Sequence, residues 1–175
     1  MLYLGIAATL GILWLMWRLQ GRLPAWLGAE YLHWSPTPVR YLLRAGFLGL
    51  IAGMALAWLF RDYDKSPSLA FVSVWIGIMI APLEEELVFR GYLFSGVDWL
   101  LSRWTSCARW LTVIVIAAVF ALSHSAKAGI TAGQIVSIFI TGTLYGWLRL
   151  DSNSTVPPVL AHMSYNAVIF LAAAL

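Results

Sequence analysis

The sequence predicts an all-α membrane protein, a bundle of about six transmembrane helices. Of its 175 residues, 61% are hydrophobic and only 11% are charged, whereas a soluble domain carries about 25% charged residues. Apolar stretches recur along the chain at lengths close to the ~20 residues that cross the hydrocarbon of a bilayer. The net charge of +3 is therefore attributed to basic loops that fix membrane topology, and no nucleic-acid partner is expected.

Six apolar segments can be drawn as spans. The first closes with Trp14, Trp17 and Arg18 and is expected to be a retained helix, because it lacks the basic n-region and cleavage site of a signal peptide. A polar linker at 18–38 follows the first span, and a charged loop at 61–68 follows the second. The predicted spans are 1–17, 39–60, 69–94 (with a helix that can run on to Leu101), 107–124, 134–150 and 156–175.

The basic residues of the loops predict an orientation, since cytoplasmic loops carry an excess of Lys and Arg. One side holds seven basic residues: Arg18, Arg22, Arg40, Arg44, Arg103, Arg109 and Arg149. The other side holds three: Arg61, Lys65 and Lys127. This distribution favours an N-terminus outside and a cytoplasmic 18–38 linker, but it leaves open the side to which a site within the spans would open.

The third span contains a charged cluster, APLEEELVFRGYLF at residues 81–94. Four ionisable groups within a span would cost on the order of 10 kcal/mol unless they are neutralised or hydrated, so each is a functional hypothesis by default. Glu86 and Arg90 are four residues apart and can pair on one helix face. Glu85 has no such partner and is available as a base. Glu84 lies a further step around the helix, where it could reach a polar cavity or another helix.

A simpler interpretation of this cluster is a helix that ends near residue 83 and leaves the glutamates in interfacial water. The apolar residues that continue after the glutamates count against it. Pro82 removes one backbone hydrogen bond and is expected to kink the helix just before the cluster.

Two later spans each carry a further pair of residues at helical spacing, and three of the four residues are polar. Phe120 and His124 are four residues apart in FALSH, and His162 and Asn166 are four apart in HMSYN. Polar groups at this spacing in an apolar helix point in one direction, into the bundle. A glutamate, two histidines and an asparagine can together hydrolyse an amide, because a base deprotonates water and donors stabilise the oxyanion.

The fifth span adds two glycines at GxxxG spacing, Gly142 and Gly146 in GTLYG. Small residues at this spacing allow helices to approach closely, so they predict a compact bundle. A single cysteine, Cys107, excludes an internal disulfide and any cysteine-rich metal site.

EELVFRG, FALSH and HMSYN are similar to three motifs of a known family, in the same order and on three separate spans. The family is the CAAX protease and bacteriocin-processing (CPBP, or Abi) family of intramembrane glutamate endopeptidases, with motifs EExxxR, FxxxH and HxxxN or HxxxB. The resemblance covers about residues 75–172, the last four spans. The chain has no evident internal repeat or low-complexity segment and is expected to form one integral membrane domain over 1–175. Within it, the resemblance implies variable N-terminal helices at 1–66 and the catalytic core at 67–175.

The resemblance also implies roles for individual residues and no cofactor. Glu85 and His124 would activate the water, and His162 and Asn166 would form the oxyanion hole. The supporting residues would be Glu86, Arg90 and Phe120. The implied substrate is a membrane-associated peptide or protein tail, and the short chain suggests a bacterial member in the inner membrane.

Two alternatives remain open on the sequence alone. Glu85, His124 and His162 could supply a two-histidine, one-carboxylate zinc site, although the chain has no HExxH motif. The protein could instead be a non-enzymatic immunity or scaffold protein, or a small transporter, because intramembrane Glu and His also mark proton relays.

Overall fold

The computed structural model describes residues 29–60, 74–127 and 129–174, together with Gly11, Trp14 and Arg18. The described part of the chain contains no β-strand, and from residue 29 onward it forms a helical bundle, as predicted. The helices are α1 (Ala29–Leu32), α2 (Val39–Leu59), α3 (76–101), α4 (Ala108–His124), α5 (Ala132–Ser152) and α6 (Val156–Ala174). Most of the predicted first span and the 61–68 loop lie outside the described residues.

Four predicted spans fall on α2, α4, α5 and α6. By length and composition, α2 and Val156–Ala173 of α6 are long and apolar enough to cross a membrane, and α4 is a shorter apolar helix. Large apolar side chains of α2 face outward, with Leu43 70% and Trp58 66% exposed. Such a surface suits a lipid environment, because soluble monomers rarely expose contiguous apolar patches of this kind.

The helix that carries the glutamates changes its hydrogen-bond register twice. Helix α3 consists of four consecutive segments: a π-helical turn Ile76–Ile80, an α-helical turn Ala81–Glu86, a second π-helical stretch Leu87–Leu93 and an α-helix Phe94–Leu101. The helix therefore continues past the glutamates to Leu101, and the interpretation in which it ends near residue 83 is wrong. Single π-helical turns inside α-helices are frequent at functional sites.

The first π-helical turn precedes Pro82. The backbone N–H of Ala81 bonds to the carbonyl of Ile76, five residues back, and so passes over the carbonyl of Gly77. Continuation of the π pattern would require the next N–H, at residue 82, to reach Gly77, and proline has none. The Gly77 carbonyl is therefore left without a donor from its own helix.

Helix α3 lies between α6 and α4. Its first half packs on α6, where Met79 is buried with Val159 and Met163. Its last segment packs on α4, where Phe94 is buried with Ile116. The site residues on α3, α4 and α6 are thereby brought to one place.

Glycines lie at two close helix contacts. On α5, a Cβ at Gly146 would lie 3.0 Å from Cγ1 of Val113 on α4, which confirms the close approach that GTLYG predicted. Helix α2 meets α6 through a second pair that the sequence analysis did not single out, Gly49 and Gly53 in GLIAG. A Cβ at Gly49 would lie 2.9 Å from Cα of Ala161, a backbone atom that cannot move aside alone.

We expect Gly49→Ala to destabilise the bundle by about 1–3 kcal/mol, the usual cost of overpacking, because α2 must move away from α6. Gly46→Ala is the matched control on the same helix, since its Cβ would meet Ser164 Oγ at 3.8 Å, an ordinary contact. Thermal unfolding in detergent measures both variants. Equal melting temperatures for the two would contradict this account of the α2–α6 interface.

Candidate active site

A fully buried ion pair lies at the centre of the site. Glu86 and Arg90 are both 0% exposed, and Arg90 Nη1 lies 3.2 Å from Glu86 Oε1, which confirms the predicted pair. Arg90 Nη2 also donates to the carbonyl of Gly142 on α5, at 2.8 Å. The guanidinium carbon lies 4.5 Å from the ring centre of Phe120 and 5.5 Å from that of Tyr145. Four neighbours therefore hold this cation in place, as a buried charge requires.

His162 is attached to this pair through one ring nitrogen. Its Nδ1 lies 2.9 Å from Glu86 Oε1. Because an ionised carboxylate only accepts hydrogen bonds, Nδ1 carries the proton in this arrangement. The imidazole stacks on the ring of Tyr145, with centroids 4.9 Å apart and an interplanar angle of 23°. The ring is thus fixed with Nε2 directed away from Glu86.

His124, the last residue of α4, is held in a similar way. Its Nδ1 lies 2.9 Å from the carbonyl of Phe120, one turn back, and 3.3 Å from Oγ of Ser123. A carbonyl also only accepts, so here too Nδ1 donates and Nε2 is free to face the site. The ring of Phe120 meets the imidazole edge-on, at 4.7 Å between centroids. The four-residue spacing of Phe120 and His124 thus corresponds to a direct ring contact.

Both histidines turn their Nε2 atoms towards Glu85. Glu85 Oε2 lies 4.0 Å from Nε2 of His124 and 3.9 Å from Nε2 of His162. The side chain of Glu85 is 29% exposed, in contrast to the buried Glu86. Each separation is longer than a direct hydrogen bond. Each is short enough for one water molecule to bridge the Glu85 oxygen and an imidazole nitrogen. The carboxylate without an arginine partner is thus the one that faces both imidazoles.

Asn166 contacts the site from one turn beyond His162. Its Nδ2 donates to the carbonyl of Gly77, at 2.7 Å. This is the carbonyl that the π-helical turn and Pro82 leave without a donor. The amide has a second N–H, so this bond is compatible with the predicted contact to an oxyanion. Glu84, by contrast, is exposed on the outside of α3.

Sequence reasoning missed two buried residues of α5. Tyr145, 1% exposed, stacks on His162 as described above. Arg149 was assigned to a loop, which is wrong: it lies within α5, is 2% exposed, and its Nε donates to the carbonyl of Arg90 at 3.1 Å. The signal was the spacing of Gly142, Tyr145 and Arg149, which places all three on one helix face.

In the portion of the chain that the structure describes, no group of three or more His, Cys, Asp or Glu side chains is arranged to hold a metal ion. The three ligands of the zinc alternative, Glu85, His124 and His162, all belong to that portion.

The fold and the site define a helical membrane protein in which carboxylates and imidazoles meet between the helices. The family described as Type II CAAX prenyl endopeptidase Rce1-like matches residues 67–168, more than half of the chain. The chain therefore belongs to this family, the CAAX protease and bacteriocin-processing family that the motifs predicted. Members of the family are membrane-embedded.

A protein of Escherichia coli described as an uncharacterized 24.3 kDa protein is 28% identical over 102 residues. The matched stretch covers 57% of this chain and 43% of that protein, so the match spans less than half the length of the relative. No solved structure matches the chain.

Proposed function

We propose that the protein is an intramembrane endopeptidase of the glutamate type, which hydrolyses a peptide bond in a membrane-associated peptide or protein tail. The observation that supports this proposal is the convergence of two imidazole Nε2 atoms on Glu85 Oε2, at 4.0 and 3.9 Å. Family membership supports a protease. We assign the catalytic core to residues 67–175.

In the proposed mechanism, a water molecule binds between Glu85 Oε2 and Nε2 of His124. Glu85 takes one proton as the water oxygen attacks the carbonyl carbon of the substrate, and the carbonyl oxygen becomes an oxyanion. His124 orients the water through Nε2, which accepts because Nδ1 already donates to Phe120. The proton held by Glu85 then passes to the leaving nitrogen as the carbon–nitrogen bond breaks.

The oxyanion is assigned to His162 and Asn166. With Nδ1 bound to Glu86, His162 donates to an oxyanion only when Nε2 also carries a proton. The carboxylate of Glu86 fixes the ring orientation and stabilises the imidazolium, as a triad aspartate does for its histidine. Asn166 would supply its second amide N–H. Arg90 holds the Glu86 carboxylate in position through their ion pair.

The partners in this proposal are a membrane-anchored protein substrate and the bilayer itself. A site built between membrane helices receives chains that lie at or in the membrane, and water reaches it through the partly exposed Glu85. We place the protein in the inner membrane of a bacterium, and the relative from Escherichia coli supports the bacterial source.

Comparison of protein termini in cells tests the proposal and identifies the substrate. Membrane proteins are collected from cells with the wild-type protein, with Glu85→Gln and with the adjacent control Glu84→Gln. We expect new termini in the wild-type and Glu84→Gln samples that are absent with Glu85→Gln. Identical termini in all three samples would reject the protease and favour the non-enzymatic alternative.

A chelation experiment separates the glutamate mechanism from the zinc alternative. The purified protein is assayed on a cleaved tail from the previous experiment, before and after exhaustive treatment with a chelator. We expect unchanged activity. Loss of activity that added Zn²⁺ restores would favour the metalloprotease.

A further inference from the structure

Arg149 is a second buried arginine, and the mechanism above does not use it. It lies in the last turns of α5 and is 2% exposed. Its Nε donates to the carbonyl of Arg90 at 3.1 Å, and its Nη1 lies 3.4 Å from Oδ1 of Asn153. The guanidinium carbon lies 5.3 Å from the ring centre of Phe94. A buried guanidinium is costly unless its bonds are well made, so these contacts call for an explanation.

The carbonyl that Arg149 contacts has been displaced from the helical ladder. In an α-helix, the N–H of Phe94 would bond to the carbonyl of Arg90, four residues back. Here that N–H bonds to Gly91 and to Phe89, three and five residues back, at the end of the second π-helical stretch. The carbonyl of Arg90 is passed over and takes its hydrogen bond from Arg149 instead.

The first π-helical turn also has a skipped carbonyl that accepts a hydrogen bond from another helix. There the carbonyl of Gly77 is passed over and accepts from Asn166 of α6. Each register change in α3 thus has one skipped carbonyl, and each skipped carbonyl is held by a buried or half-buried side chain of another helix. Asn166 already belongs to the predicted site, and Arg149 occupies the equivalent position at the other end.

Arg149 and Arg90 also link α3 and α5, because each side chain donates to a backbone carbonyl of the other helix. Arg90 Nη2 donates to the carbonyl of Gly142 on α5, while Arg149 Nε donates to the carbonyl of Arg90 on α3. The backbone and the side chain of Arg90 are therefore both anchored on α5. The position of its guanidinium determines the position of Glu86, and Glu86 in turn fixes the imidazole of His162.

We propose that Arg149 is a positioning residue of the active site. Its bond to the skipped carbonyl holds the π-helical stretch 87–93 in the register that presents the Arg90 guanidinium to Glu86 and, through Glu86, orients His162. The effect on peptide hydrolysis rests on the proposed function, whereas the effect on His162 does not.

The test uses the small number of histidines in the chain, His33, His124 and His162. The protein is labelled with ¹⁵N-histidine, placed in lipid nanodiscs, and its three ring spectra are assigned with single His→Gln variants. We expect Arg149→Gln to shift the Nδ1 signal of His162, because the hydrogen bond between this nitrogen and Glu86 changes its geometry. The ring signals of His124 should stay unchanged. The matched control is Arg103→Gln, an exposed arginine at the same end of the bundle, which should leave both unchanged.

Arg149→Lys is the second variant and separates charge from the hydrogen bond. Burial is the largest cause of the lowered pKa of His33, and the positive charge at position 149 is the next. Lysine keeps that charge. It lacks the Nε–H, so the Nδ1 signal of His162 should still shift. In an Arg90→Gln background, Arg149→Gln should add no further shift, because both act through the same guanidinium.

The proposal would be overturned if the Nδ1 signal of His162 stayed unchanged in folded Arg149→Gln or Arg149→Lys protein. It would also be overturned if Arg149→Gln shifted that signal equally in the wild-type and Arg90→Gln backgrounds. On a cleaved tail, we expect kcat to fall at least about tenfold with KM unchanged, since misplacement of a group by about 1 Å can cost 10²-fold. If no tail is cleaved by the wild type, the proposed function fails, while the His162 shifts still decide the role of Arg149.

Discussion

Replacement of Glu85 with glutamine should lower kcat of the purified protein by about 10²- to 10⁴-fold, the usual contribution of a general base. The amide has nearly the same size as the carboxylate but cannot accept a proton from water. Glu85 lies between Nε2 of His124 and Nε2 of His162. The neighbouring Glu86 cannot take over its role, because Glu86 is fully buried against Arg90. The measurement is the initial rate of cleavage of the identified tail in nanodiscs.

Glu84→Gln is the matched control for this variant. The two glutamates are adjacent in the sequence, but Glu84 is exposed on the outer face of α3. We expect its rate to stay close to that of the wild type. If Glu84→Gln loses as much activity as Glu85→Gln, the assignment of the base is wrong.

The second large effect is expected on stability. Removal of one partner from the Glu86–Arg90 pair, as in Glu86→Ala or Arg90→Ala, should cost about 3–5 kcal/mol, because the remaining charge stays buried without its partner. Both side chains are 0% exposed, so water cannot replace the lost contact. Unfolding free energies measured by steric trapping in bicelles provide the test.

The double variant Glu86→Ala/Arg90→Ala should lose less than the sum of the two single losses, since neither charge is then left alone. Arg44 and Asp151 form an ion pair with side chains 39% and 33% exposed, and breaking that pair should cost at most about 1 kcal/mol. Single losses at Glu86 and Arg90 as small as those at Arg44 would contradict the role of the buried pair.

Helical spacing was sufficient to predict much of the site. The four-residue intervals between Glu86 and Arg90 and between Phe120 and His124 each correspond to a contact in the structure. The absence of a cation near Glu85 along its own helix also identified the carboxylate that faces the imidazoles. These relations lie within one helix turn, and the 3.6-residue period determines them.

The contacts between helices could not be predicted in this way. The π-helical turns of α3 depend on which carbonyl each N–H selects, and residue periodicity does not report that choice. Arg149 lies near Asp151 at the end of a predicted span, so the sequence around it resembled a charged loop. Its burial is explained by the packing of α5 on α3. Similarly, the need for glycine at position 49 follows from the close approach of the Ala161 backbone on another helix.

The central claim is that Glu85, His124 and His162 share one site. The ¹⁵N spectra of the three histidines test it most directly, by comparison of the wild type with Glu85→Gln and Glu84→Gln in nanodiscs. The account predicts that Glu85→Gln shifts the Nε2 signals of both His124 and His162 and leaves His33 unchanged, while Glu84→Gln shifts none. A spectrum in which only one of the two site histidines, or neither, responds to Glu85→Gln would contradict it.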